Sequence, residues 1–509
     1  MEKDTTTIGQ SSDAGSPSPS KQEFGGIPET SKDQAFQFLT THHATEEEVA
    51  AVDLKRLRRV IDWHIIPIML LVYIIQFLDK VLLNYAAVMG ISTDLKLKGN
   101  NFADVNTYTF LSILLAEFPT GFILNKVPAG KWLGINTVLW GVSTAVVAAT
   151  KNYTGLLISR IFLGIFEAAV GPCLIIISSQ WYTKSEQPAR FGLWYCGVGI
   201  GQILGSLFSY GFQHVTGASL ASWRIMFIVL GVITITIGVA AYFIIPDSPM
   251  TAKWMNDAEK SALLQHISVN MTGVVNKQFK PSQLVDFLTD PQMYLLTLML
   301  LLLSVTSGVG TTFSATLLRN VGYNAKQSAV LNAPSGVVSI VAVLLGSFGV
   351  RYAKHRWAFI IAAAIPAALS GALMSFVNTK AGVLAGIWLI NTNVAVMPII
   401  YSWVAANMAG HTKRPLAMST IVGAFSVGNI IGPQTFQARD APQYLPAKIT
   451  VLACVCAGGF MAFVLMCYYK WQNSRRDKKH GTGDAMVVGD DEKWANLTDR
   501  ENKSFRYVT

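Results

Sequence analysis

Two charged side chains lie side by side inside a long apolar run near the start of the sequence. Asp79 and Lys80 are preceded by the largely apolar residues 65–77 and followed by the apolar residues 86–91. The run is long enough to cross a bilayer, where one charged side chain costs roughly 2.5–3.5 kcal/mol on insertion scales. At 100° per residue, Asp79 and Lys80 share a helix face with Asn84. This face is therefore predicted to line a protein interior or a wet cavity.

Charges in such a position have two interpretations. Beside a path for a polar substrate, Lys80 would attract an anion and Asp79 would exchange a proton. The alternative is structural, with an ion pair inside the protein or with Lys80 extending to the membrane interface. We favour the substrate path, because ionisable residues inside spans commonly mark ion and substrate routes.

Further charges lie inside apolar runs of the first half. Glu117 precedes Pro119, and a proline frees backbone carbonyls to face a cavity. Burial can hold a glutamate protonated, which suits proton coupling, although Glu117 could instead partner Lys80 or Arg160. Arg160 and Glu167 share one helix face, and a buried arginine can hold a carboxylate bidentately. The alternative for these two residues is a structural bridge to a neighbouring helix.

The corresponding run of the second half contains no charged residue. Asn391, Asn393 and Tyr401 supply neutral hydrogen-bonding groups there. We therefore predict that the first half contributes the charges of a site and the second half its neutral polar groups. Lys413 and Arg414 lie in a short segment before the next run, and we interpret them as solvated loop charges that fix orientation.

Composition indicates a polytopic membrane protein. The chain has 509 residues, of which 51% are hydrophobic and 14% charged, against about 25% charged in soluble proteins. The net charge of +10 does not indicate nucleic acid, because the Lys and Arg residues are spread over loops and tails; their expected counterpart is the lipid bilayer's anionic cytoplasmic leaflet. The five cysteines lie in apolar runs, at spacings that fit neither a disulfide framework nor a metal site. No cofactor is expected.

About twelve apolar runs divide six and six around the longest polar segment between them. Basic residues flank both ends of this region, which places both termini in the cytoplasm. The predicted fold is an all-α membrane protein with twelve transmembrane helices in two six-helix halves. Its divisions are a disordered cytoplasmic N-terminal tail (1–60), an N-terminal half (61–245), a central cytoplasmic loop (246–290), a C-terminal half (291–470) and a cytoplasmic C-terminal tail (471–509).

A sequence pattern that occurs in two loops supports two repeated halves. Gly121 is followed five residues later by Lys126, and Gly346 is followed at the same distance by Arg351, in equivalent loops. Separately, glycines recur at every fourth position of the fifth run, which predicts close helix packing. These are Gly197, Gly201 and Gly205.

The two loops resemble the Gly-x-x-x-Asp-Arg/Lys loop of the major facilitator superfamily, with Asn125 and Val350 where that family usually has Asp. A more specific resemblance, to the fungal anion:cation symporter family, is carried by residues 77–80, 117–119, 128–133, 407–414, 428–433 and 440–444. Residues 83–90 are most like its allantoate permease branch. The resemblance covers roughly residues 55–475.

This resemblance implies a proton-coupled transporter, not an enzyme, that takes up a small organic anion such as allantoate, a dipeptide, a vitamin or a carboxylate. It implies a monomer in the plasma membrane, and Arg160 matches a fourth-span arginine that the superfamily often uses near its proton-coupling site. The expected substrate-binding residues are Lys80, Asn84, Arg160, Asn391, Asn393 and Tyr401. The expected proton-coupling residues are Asp79, Glu117 and Glu167.

Two alternatives remain open at this point. The first is an exporter of an acidic metabolite, and the second is a nutrient receptor on the same scaffold that does not transport. The Gly-Pro pair that marks many drug–proton antiporters is absent, since Gly205 is followed by Ser206. Its absence favours uptake over drug export.

The predicted topology is tested by glycosylation. The Asn152-Tyr-Thr154 sequon falls outside the cell, whereas the Asn270-Met-Thr272 sequon falls in the central cytoplasmic loop. We expect glycan at Asn152 and none at Asn270, measured as a mobility shift reversed by glycosidase and abolished by Asn152→Gln. Glycan at Asn270 would overturn the orientation.

Overall fold

The computed structural model describes residues 38–39, 45–98, 101–214, 219–268, 280–320, 322–323, 325–377, 379–435, 445–480 and 497–509. Most of the predicted N-terminal tail lies outside these residues, and so does Asn270. The described chain is all-helical, and no strand occurs in it.

The helices of residues 45–268 are α1 (Glu46–Ala50), α2 (Leu54–Val88), α3 (Ile91–Asp94), α4 (Asn101–Ile123), α5 (Ala129–Val147), α6 (Tyr153–Glu167), α7 (Val170–Trp181), α8 (Gln187–Tyr195), α9 (Gly197–Phe212), α10 (Ser222–Ile244) and α11 (Asp257–Ser268). Those of residues 280–480 are α12 (Pro281–Leu288), α13 (Pro291–Asn320), α14 (Ala325–Ala353), α15 (Arg356–Phe376), α16 (Lys380–Leu389), α17 (Val396–Asn407), α18 (Lys413–Gln434) and α19 (Leu445–His480). Short 3₁₀ turns occur at Pro249–Thr251 and Ile390–Ala395.

The predicted all-α membrane fold is confirmed. Within the described residues, 9 spans are long and apolar enough to cross a bilayer, and a tenth arises if α12 and the start of α13, bent by 59°, form one span. In addition to these spans, the helices α4 and α5 are 23 and 19 residues long. The count of twelve spans, the domain boundaries and the cytoplasmic placement of the termini stay predictions. We call α2–α11 the first, or N-terminal, half and α12–α19 the second, or C-terminal, half.

The start of α2, the segment between α7 and α8, and residues 497–509 lie together at one end of the helical bundle, which we call the terminal face. Near the start of α2, Arg58 pairs with Glu186 between α7 and α8, and Asp62 accepts from Arg190 at 3.0 Å. His266 at the end of α11 also approaches Glu186, at 3.5 Å. With 35 residues, α2 spans about 50 Å at 1.5 Å per residue and therefore extends past a hydrocarbon core of about 30 Å.

Two spans contain short irregular stretches beside predicted site residues. Residues 168–169, which lie between α6 and α7 directly after Glu167, keep right-handed helical backbone angles, so Tyr153–Trp181 remains one span. The 3₁₀ turn Ile390–Ala395, which contains Asn391 and Asn393, lies likewise within the single span Lys380–Asn407. A change from α to 3₁₀ geometry inside a helix often marks a functional hinge.

The repeated glycines bring α9 against α2, as predicted. A Cβ atom added to Gly197 would lie 2.9 Å from the Ile74 nitrogen, and one added to Gly201 would lie 2.9 Å from the Ile74 oxygen. A Cβ atom on Gly205 would lie 2.9 Å from the Tyr85 ring. Glycine is therefore required for this close backbone approach, and the prediction of close helix packing is confirmed.

The interpretation of Lys413 as a solvated loop charge was wrong. Its side chain is 0% exposed, and its Nζ atom lies 2.9 Å from Asp286, 2.6 Å from Asp290 and 2.8 Å from Asp499. The neighbouring Arg414 is also buried. The cause is distant in sequence, because residues 497–509 fold back over the terminal face and cover the beginning of α18.

Candidate functional site

Five ionisable side chains meet in the interior of the helical bundle. Asp79 and Lys80 come from α2, Glu117 from α4, and Arg160 and Glu167 from α6. Four of these residues are almost wholly buried, with exposures of 4% for Asp79, 1% for Glu117, 3% for Arg160 and 2% for Glu167. We call this group the charge cluster.

Arg160 and Asp79 form the first pair of the charge cluster. Arg160 Nη1 lies 3.4 Å from Asp79 Oδ2, while the Thr144 hydroxyl donates to Asp79 Oδ1 at 3.0 Å. The guanidinium lies 5.3 Å from the Phe227 ring centroid. Its Nε and Nη2 atoms have no hydrogen-bond partner among the described residues. Arg160 thus holds Asp79 with only part of its donor capacity.

Lys80 and Glu167 form the second pair. Lys80 Nζ lies 3.4 Å from Glu167 Oε1 and 5.0 Å from the Phe425 ring centroid of α18, in the other half. Within the described part of the chain, Glu167 Oε1 accepts no hydrogen bond, so the contact is an ion pair without hydrogen-bond alignment. The Lys80 side chain is 21% exposed, which leaves its ammonium group partly accessible.

Glu117 lies at the contact between the two halves. Its Oε1 atom accepts a long hydrogen bond of 3.5 Å from Ser426 of α18, and its Oε2 atom has no partner in the described residues. A Cβ atom on Gly423 would lie 2.9 Å from Oε2, so a side chain there would crowd the carboxylate. No cation of the described chain lies within salt-bridge distance of Glu117.

An aromatic layer closes the charge cluster toward the terminal face. The Tyr73 and Tyr195 ring centroids lie 4.8 Å apart, and Tyr195 lies 6.1 Å from Tyr401 of α17. All three residues are buried. Because Tyr401 belongs to the second half, this layer connects the two halves on the side of the charge cluster that is nearer the terminal face.

The side chains of the two predicted asparagines of the second half donate hydrogen bonds to backbone carbonyls of that same half. Asn391 Nδ2 donates to the Ile387 carbonyl and Asn393 Nδ2 donates to the Leu303 carbonyl, each at 2.8 Å. Asn393 Oδ1 has no partner among the described residues and could still accept a hydrogen bond. The Asn84 side chain lies outside the described part of the structure.

The predicted glycosylation residue caps a helix. Asn152 is exposed at the start of α6, where its Oδ1 atom accepts from the Gly155 amide at 2.9 Å. Modification of Asn152 stays a prediction.

Sequence reasoning did not identify four neutral neighbours of the charges, namely Thr144, Phe227, Phe425 and Ser426. Thr144 is one of several hydroxyl residues of α5, and nothing in the local sequence separates it from the others. Phe425 and Ser426 contact the cluster across the two halves, which no local periodicity reveals.

The comparison with known families decides the architecture. Residues 69–433 match the Major Facilitator Superfamily. The chain belongs to this superfamily. As a member of a family of transporters it is a multi-pass membrane transporter and not an enzyme, as the sequence predicted.

Fungal relatives of the superfamily confirm the more specific resemblance to the anion:cation symporters. The chain is 34% identical over 455 residues to the thiamine pathway transporter THI73 of Saccharomyces cerevisiae, covering 88% of this chain and 86% of that protein. It is 31% identical over 479 residues to the allantoate permease of the same yeast, covering 91% and 88%.

A solved structure shows the same fold. The proton:xylose symporter XylE matches with a TM-score of 0.67 and 14% sequence identity, covering 80% of this chain and 95% of that one. At this identity, the likeness concerns the fold of the superfamily alone.

The Thr144–Asp79 hydrogen bond is tested by Thr144→Val. Removing the donor leaves a buried carboxylate oxygen without its partner, which we expect to lower the free energy of unfolding by about 1–3 kcal/mol. The measurement is thermal or denaturant unfolding of the purified transporter in detergent.

Thr236→Val is the matched control. The Thr144 hydroxyl also lies 3.1 Å from the carbonyl of Trp140, four residues earlier. Thr236 makes the equivalent contact with the Val232 carbonyl at 2.9 Å, but its side chain is exposed, and no carboxylate of the described residues accepts from it. We expect a change within about 0.5 kcal/mol for this variant. Equal stability of the two variants would contradict the assigned role of Thr144.

Proposed function

We propose that this transporter imports a small organic anion together with protons across the plasma membrane, by alternating access around the charge cluster. The observation that carries the proposal is Arg160, a buried arginine with two donor atoms that have no partner among the described residues. These donors could bind a ligand, because a guanidinium can hold a carboxylate bidentately. Allantoate, dipeptides, vitamins and carboxylates all supply such a group.

The net charge of the cluster supports coupling to protons. Its three carboxylates and two cations amount to one negative charge when all are ionised. Binding an anion would add a second negative charge in a region of low dielectric, where like charges repel strongly. A proton taken up by one carboxylate returns the net charge of the occupied cluster to one negative charge. Anion and proton would therefore bind together.

Glu117 is the carboxylate that we assign to the proton. Asp79 and Glu167 each lie 3.4 Å from a cation, whereas Glu117 forms no ion pair in the described part of the chain and accepts one long hydrogen bond there, from Ser426. Glu117 also lies at the contact between the halves, where a change of charge would alter their interaction. Lys80, partly exposed, would attract the anion before Arg160 binds it.

The same charge argument favours uptake as the direction of transport. A proton that enters with an anion neutralises its charge, so an inside-negative membrane potential no longer opposes uptake. The relative named allantoate permease supports an organic anion as the substrate class by analogy.

The proposal is tested by uptake in a deletion strain that expresses the chain. A screen of labelled allantoate, dipeptides, vitamins and carboxylates identifies the substrate, and uptake of that substrate is then measured at several external pH values. We expect accumulation to rise as external pH falls and a protonophore to abolish it. Glu117→Gln should remove the pH dependence of transport while exchange of labelled for unlabelled substrate continues.

Glu47→Gln is the control, because this substitution makes the same change of charge at a residue that is exposed in α1. It should keep the pH dependence of the wild type. If expressing cells hold less compound than deletion cells, and the difference grows with the proton gradient, the chain is an exporter. Saturable binding without accumulation would indicate the receptor alternative.

A further inference from the structure

The last described residues form a compact segment on the terminal face. Residues 497–509 follow a long polar stretch, yet Thr498, Asp499 and Phe505 are almost completely buried. Thr498 and Glu501 cap each other's backbone amides, at 3.2 and 2.9 Å, which gives the segment a defined start. Such burial shows a specific docking surface for the end of this chain.

The segment is anchored in the C-terminal half. Asp499 binds the buried Lys413, and Tyr507 donates to Asp499 at 2.7 Å. The Val508 carbonyl accepts from Trp403 Nε1 at 2.7 Å, and the Val508 amide donates to Asn407 Oδ1 at 2.8 Å. Undocking would leave these buried polar groups of α17 and α18 without partners, which is costly.

The same segment also contacts the N-terminal half. Lys184, between α7 and α8, holds its Nζ atom 3.9 Å from the centroid of the Phe505 ring. Arg356 of α15 connects both partners, since its side chain donates to the Lys184 carbonyl at 2.9 Å and its amide donates to the Thr509 carbonyl at 3.1 Å. The segment therefore crosses the seam between the halves.

The seam is closed at this face. Ser347 of α14 is buried against Gly192 of α8, and Gly121 of α4 is so close to Ser419 of α18 that an added Cβ atom would lie 2.8 Å from its hydroxyl. In alternating access, these contacts between halves must separate when the terminal face opens. The anchors within the C-terminal half can persist through that change, whereas the contact between Phe505 and Lys184 cannot.

We propose that residues 498–509 act as a C-terminal latch, which stabilises the conformation closed at the terminal face through the contact of Phe505 with Lys184. The latch shifts the equilibrium between the two conformations without touching the transported substrate. Weakening it should favour the conformation open at the terminal face.

The test measures access to the seam in the full-length transporter. Ser347→Cys places a thiol in the closed seam, and its rate of reaction with a water-soluble maleimide is measured on purified protein, after subtraction of the reaction of the native cysteines. We expect Phe505→Ala to raise the rate by about fivefold or more, the change typical of losing one such contact. Lys503→Ala is the matched control, because Lys503 lies in the same segment with an exposed side chain; it should leave the rate unchanged.

A double-mutant cycle separates the latch from general loosening. Lys184→Met should raise the rate as Phe505→Ala does, and the double variant should add little, because both changes remove the same contact. An unchanged rate in Phe505→Ala, or fully additive effects of the two changes, would overturn the proposal. The assay contains no transported substrate, so its outcome is independent of whether the proposed anion uptake is correct.

Discussion

The physical constraint on which this structure depends is the cost of holding charges inside a membrane protein. Five ionisable side chains lie in one buried region, and their partners satisfy them only in part. Arg160 keeps two donors unused, and Glu117 keeps an oxygen without a partner in the described residues. A purely structural cluster would gain stability from saturating these groups, because unpaired buried polar atoms are costly. The unpartnered atoms of Arg160 and Glu117 are the groups that a bound anion and a proton would need as partners.

The surrounding architecture serves this requirement. The irregular residues after Glu167 and the 3₁₀ turn at Ile390–Ala395 each lie within a span that carries predicted site residues. Glycines allow the helices next to the charges to approach at backbone distance, and Gly423 leaves space for Glu117 at the seam. Tyr73, Tyr195 and Tyr401 form the layer beneath. The charges therefore come from the first half, while the second half supplies the surface against which they are enclosed.

The sequence predicted the parts that depend on local periodicity. A charged pair inside an apolar run had to face inward, and the structure places Asp79 and Lys80 accordingly, together with the arginine and glutamates predicted from other runs. Contacts between distant segments could not be predicted in this way. Ser426 meets Glu117 across 309 positions, and Lys413 is buried because Asp499, 86 positions away, returns to cover it. The amides of Asn391 and Asn393 bind backbone carbonyls, a local choice that the residue types alone do not reveal.

The central claim is that the buried charges serve transport and not folding, and removing both members of one pair tests it most directly. Replacing a buried ion pair with neutral groups is often neutral or stabilising, whereas removing one member leaves an uncompensated charge. We therefore predict that Asp79→Asn with Arg160→Met unfolds at or above the temperature of either single variant, reaches the membrane and accumulates no substrate. Asp257→Asn with Lys260→Met removes a pair of α11 in which the Asp257 side chain is 58% exposed, and this variant should transport normally. Wild-type accumulation by the Asp79/Arg160 double variant would contradict the account and assign that pair a structural role.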